Sequence, residues 1–87
     1  MLLPQILNVE AAPALWAELG RARGAPLELD ASEVDRLGAP CLQVLLAAAN
    51  AWAESGLPLR IIRASPAFRE AVRVMGAELM LPLSEGE

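Results

Sequence analysis

Residues 27–46 read LELDASEVDRLGAPCLQVLL, and this stretch decides the fold. Leu27 and Leu29 alternate with Glu28 and Asp30, the period-two pattern of a strand with one buried face. An acidic segment from Ala31 to Leu37 reads as a loop. Pro40 suits a first helical position, because its missing N–H has no intrahelical partner there. Leu42, Leu45, Leu46, Ala49 and Ala53 then recur as one apolar stripe of a helix that Gly56 ends. The Gly38-Ala39-Pro40-Cys41 junction lies at the carboxyl end of a strand, where open α/β folds usually meet their ligands and partners. Gly38, Ala39 and Pro40 carry no acid, base or hydroxyl, which points to a binding module rather than an enzyme.

Working outward, Leu2 to Leu7 reads as an edge strand that tolerates Pro4. Asn8 can cap a first helix whose initial turn accommodates Pro13, with Ala12, Leu15, Trp16 and Leu19 on the buried face. Pro58 to Ile62 forms a third strand, with Leu59 and Ile61 on one face. Ser65-Pro66 opens a third helix as cap and first residue, with Phe68, Ala71, Val72 and Met75 turned inward. Leu79 to Leu81 reads as a last strand. The expected architecture is α/β, a small and mainly parallel sheet of about four strands with three helices, in the order β-α-β-α-β-α-β. Residues 1–83 form the expected single domain, and 84–87 a loose polar tail.

Composition narrows the function. The 87 residues hold 55% apolar but only 3% aromatic side chains, with net charge −4 and seven scattered Lys and Arg. Nucleic-acid binding wants a concentrated basic footprint, so that class is set aside. No apolar run approaches the ~20 residues that span a bilayer, and MLLPQIL lacks the charged start of a signal peptide. A single cysteine cannot form an internal disulfide and fits a reducing, cytoplasmic setting. Histidine is absent, which removes the usual general base and the commonest zinc ligand. No cofactor, metal site or catalytic residue is expected.

Four segments in order resemble the STAS domain, the fold of bacterial anti-sigma factor antagonists. They are LELDAS (27–32), LQVLLAAANAWAESG (42–56), LPLRII (57–62) and SPAFREAVRVMGAE (65–78). In that family the second helix opens with Asp, then Ser or Thr, a small residue and Gly-Leu, and a partner kinase phosphorylates the hydroxyl. Counted forward from Asp30 or back from Leu42, the motif falls on Gly38-Ala39-Pro40-Cys41-Leu42. The acceptor position is therefore Ala39, a degenerate phosphosite, and the switch is missing from that position. The resemblance implies a non-enzymatic interaction module in bacterial signalling, anti-sigma-antagonist-like or chemotaxis-linked. Its partner would be an anti-sigma factor or a histidine-kinase-like ATPase. The implied partner-binding residues are Asp30, Ser32, Asp35, Gly38, Ala39, Pro40, Cys41 and Leu42, together with the start of the third helix.

Two other classes stay open. One is the STAS subunit that partners the ATPase of a bacterial lipid-transport ABC complex, for which the APALWAEL text of residues 12–19 speaks. The other is a single-thiol redox protein, since Cys41 sits near a helix N-terminus, where a thiolate is favoured. Against that stands the simpler reading of Cys41 as a small buried apolar residue. The carboxylates Glu28, Asp30, Glu33 and Asp35 lack the spacing of a calcium loop and read as a solvated, partner-facing rim.

Overall fold

Alternation in 27–30 and 59–62 builds the centre of the molecule. The computed structural model describes residues 1–84. Strand β2 (Leu27–Asp30) lies parallel to β4 (Leu59–Ile62), pairing Leu27 with Leu59 through Asp30 with Ile62. Leu29 and Ile61 are fully buried on one face, while Glu28 and Arg60 form an ion pair at 3.3 Å on the other. A second parallel ladder joins β1 (Ile6–Leu7) to β3 (Arg36–Leu37). The N-terminal segment connects the two ladders, because Leu2 bridges Asp30 in parallel before the chain reaches β1. Together with three helices this is the expected mixed α/β class, with the strands divided into two small parallel sheets.

Three expectations about strands need correction. The run Leu2–Leu7 is split at Pro4, which has no N–H to give a ladder, so pairing occurs only on either side of it. Strand β3 lies inside the segment read as a loop; two residues are too few to show any period. Leu79 to Leu81 is not a strand: the chain turns there, with the Met80 N–H donating to the Ala77 carbonyl, and the last bridge pairs Leu83 with Ile61. The expected tail meets the described residues only at Ser84. That residue is fastened, accepting from Arg60 at its hydroxyl (2.8 Å) and donating its N–H to Ile61. Residues 85–87 lie outside the described residues.

The helices are α1 (Ala12–Arg21), α2 (Ala39–Glu54) and α3 (Pro66–Val74), and a short 3-10 turn at Val9–Ala11 precedes α1. Asn8 caps that turn, accepting from the Ala11 N–H at 3.1 Å. Leu15 and Leu19 of α1 are buried as expected, Ala12 is half-buried, and Trp16 is 60% exposed. In α2 the buried set is Cys41, Leu42, Leu45, Ala48 and Trp52, so the stripe is rotated away from Leu46, Ala49 and Ala53. Alanine occupies most faces of this helix, and so apolar spacing alone leaves its phase ambiguous. Trp52 is 2% exposed, and its indole N–H donates to the Ala25 carbonyl at 2.7 Å. Phe68 and Val72 of α3 enter the core fully, with Ala71 and Met75 packed at its margin. Among the described residues no helix is long and apolar enough to cross a membrane.

Candidate protein-docking site

Everything at the strand-to-helix junction follows from how α2 begins. Gly38 is its N-cap in an extended conformation (φ −95°, ψ 167°), and its N–H donates to the Leu7 carbonyl at 2.9 Å. Pro40 stands in the first turn, as its lack of an N–H allows. Ala39 and Pro40 are exposed and Gly38 half-buried, so these three form the accessible junction. Cys41 and Leu42 turn inward, at 0% and 5% exposure, and offer a partner no surface in this fold. The Cys41 thiol donates to the Asn8 carbonyl at 3.2 Å, and burial pushes its pKa up, opposite to what a reactive thiolate needs.

Asp30 and Asp35 each have specific partners. Asp30 accepts from the Ser32 N–H at 2.9 Å and pairs with Arg63 at 3.3 Å. Hydrogen bonding from Ser32, and then the Arg63 charge, hold its carboxyl below the usual carboxylate range. Arg63 itself sits at φ 53°, a left-handed conformation that costs a non-glycine residue about 1–2 kcal/mol, at the turn between β4 and α3. Asp35 accepts from the Gln5 side-chain amide at 2.5 Å, while its own N–H donates to the Gln5 carbonyl. Ser32 is exposed in the same loop. Asp30 and Ser32 thus stand together, Asp35 and Gly38 together nearer the helix, and no three His, Cys, Asp or Glu side chains gather as a metal site among the described residues.

Sequence reading missed what lies beside the junction. A groove of about 590 Å³ runs between the outer face of α3 and the β1–β3 ladder. Leu7, Leu37, Ala67, Ala71, Val74 and Met75 supply its apolar surface, and Gly38 sits at its end. Asp35, Arg36 and Glu70 stand on its polar margin. Glu70 is paired with Arg73, which donates to it through Nε at 3.1 Å and Nη2 at 2.5 Å and lowers its carboxyl pKa. Val74 is 68% exposed, an apolar residue off the buried stripe of α3. That misplaced valine was the one signal of the groove in the sequence. The sequence points only to the start of α3 as part of the docking surface.

The fold and groove define a small parallel α/β module whose accessible features are a hydroxyl-free helix start and an apolar cleft beside it. A family model described as Mlab, STAS domain matches residues 6–82, and the chain belongs to the STAS-domain family. No curated protein matches it. STAS domains generally mediate protein–protein interactions.

Proposed function

We propose that this chain is a non-enzymatic docking module that binds an ATPase-type protein partner and is not switched by phosphorylation at the start of α2. The observation that carries the reading is the pairing of an exposed Ala39 with the apolar groove walled by α3. Ala39 has no hydroxyl to modify, and the groove offers burial to a partner's apolar side chains. The exposed Asp35 and the net charge of −4 favour a partner with a basic contact surface. The thiol chemistry of Cys41 has no support in its buried, carbonyl-bonded setting.

Partner identity has two versions. In one, the partner is an anti-sigma factor or chemotaxis-linked protein of the histidine-kinase-like class. In the other, the chain is the permanent STAS subunit on the ATPase of a bacterial lipid-transport complex. A junction without a hydroxyl suits a permanent subunit better than an antagonist that must be released, and the matching family model is of the Mlab type. Both observations favour the second version.

The test is copurification of tagged protein from its native cell, with wild type and Val74→Arg run in parallel. Because Val74 is exposed, the substitution should leave the fold within about ±0.5 kcal/mol. The expected result is an ATPase of a membrane transport complex bound to wild type and lost from the variant. A soluble kinase-like regulator in its place would select the first version. An ATPase retained equally by both proteins would remove the groove from the interface. Phosphate incorporated at Ser32 or Ser65 by a cognate kinase would leave Ala39 inert but restore a switch elsewhere, and so overturn the permanent-subunit version.

A further inference from the structure

The geometry points to Ser65 as the positioning residue of the groove: its hydroxyl fastens the acidic loop to α3 and so sets the spacing of the two groove walls. The sequence marks Ser65 only as a helix cap, and it does accept from the Phe68 N–H at 3.0 Å. The same hydroxyl donates to the Val34 carbonyl at 2.5 Å, across 31 residues of chain. One side-chain oxygen therefore holds the first turn of α3 and the end of the loop that leads into β3. Its use as acceptor and as donor are separate bonds, and only the second reaches the loop.

Other ties act at the loop's opposite end. The Ala31 N–H donates to the Ile62 carbonyl at 2.9 Å, and the Ser65 N–H donates to the Ala31 carbonyl at 3.1 Å. Both are backbone bonds that any residue at position 65 other than proline can keep. Val34, fully buried, is the residue next to Asp35, whose N–H begins the connection to Gln5 and the β1–β3 ladder. Asp35, Arg36, Leu37 and Gly38 belong to one wall of the groove, and Ala67, Glu70, Ala71 and Val74 of α3 with the adjoining Met75 form the other. The Ser65–Val34 bond is thus a direct hydrogen-bonded link from the α3 wall to the segment that becomes the strand wall.

Removing the donor while keeping the cap separates the two roles. Aspartate is as good an N-cap as serine, but its carboxylate cannot donate to the Val34 carbonyl and repels it. Threonine keeps both bonds. Amide hydrogen exchange of the free protein therefore reads the clamp. Ser65→Asp should speed exchange at Asp35 and Arg36 by about tenfold, the loss expected for one part-buried hydrogen bond with an added repulsion. The Phe68 amide should stay at the wild-type rate, and Ser65→Thr should change neither. Ser65→Ala, which loses cap and clamp together, should speed both. Wild-type exchange at Asp35 and Arg36 in Ser65→Asp, or acceleration confined to α3 in Ser65→Ala, overturns the assignment. The value of a fixed groove rests on the docking reading, but this measurement needs no partner, so the clamp and the docking reading fail separately.

Discussion

Ala39→Asp should move stability and binding in opposite directions. Ala39 is the first residue of α2 and is exposed, so the substitution removes no packing. The first turn of α2 holds no acidic residue, and a carboxylate there meets the positive end of the helix, worth about 0.3–1 kcal/mol. The lower helix propensity of aspartate opposes part of that gain. A net gain of up to about 0.5 kcal/mol remains, which for a domain of this size raises Tm by about 2–4 °C. Docking would bury the new charge at a contact fitted to a methyl group, at a cost of at least about 2 kcal/mol, or roughly 30-fold in Kd. Calorimetric melting of the free protein and titration calorimetry against the purified ATPase partner, both at 0.15 M salt, supply the two numbers. A lowered Tm would show that the start of α2 is not the open helix terminus described above. An unchanged Kd would show that the partner binds elsewhere.

Trp52→Phe loses the indole bond to Ala25 and leaves a small cavity, costing about 2 kcal/mol and lowering Tm by about 8–16 °C. Trp16→Phe should stay within about ±0.5 kcal/mol and leave an emission that acrylamide quenches poorly, because the remaining indole is the buried one. Cys41 should react with a thiol reagent at pH 8 at least about 100-fold more slowly in the native protein than in 6 M guanidinium, since reaction must await an opening of the core; equal rates would restore the redox reading. Asp30 has a depressed folded pKa, so its contribution is complete above the unfolded carboxylate value near 4 and is lost as pH falls through the lower folded value. Urea midpoints from pH 6 to pH 2 should accordingly fall less steeply for Asp30→Asn than for wild type, and parallel curves would contradict the assignment.

Legibility differed from element to element for physical reasons. Strands β2 and β4 were readable because Leu27 and Leu29 alternate with Glu28 and Asp30, and Leu59 and Ile61 flank Arg60, on a half-buried sheet. Helix α3 was readable because Ser65-Pro66 marks its start and Phe68, Ala71, Val72 and Met75 keep helical spacing. The existence of α2 was equally plain, but its rotation was not. With alanine on several sides, only packing against α1 and β4 selects Ala48 and Trp52 over Ala49 and Ala53. Strand β3 left no trace, because a two-residue pairing is created by the neighbour it pairs with. At the junction, the helix starts where Pro40 placed it, and Cys41 and Leu42 are buried as the apolar stripe and the simpler reading of the cysteine required; that Ala39 and Pro40 face outward was decided by packing.

The sequence by itself determined the fold family, through four segments in a fixed order, and it determined that the start of α2 has no hydroxyl at Ala39. Those properties reside in residue identity and spacing along the chain. Tertiary structure alone decided which of the junction's residues face outward, that Cys41 is sealed against the Asn8 carbonyl, and that α3 and the β1–β3 ladder enclose a groove. It also gave the Ser65 hydroxyl a second bond, 31 residues away. Each of these depends on segments distant in sequence coming within a few ångströms, and local patterning holds no record of which distant surfaces will meet.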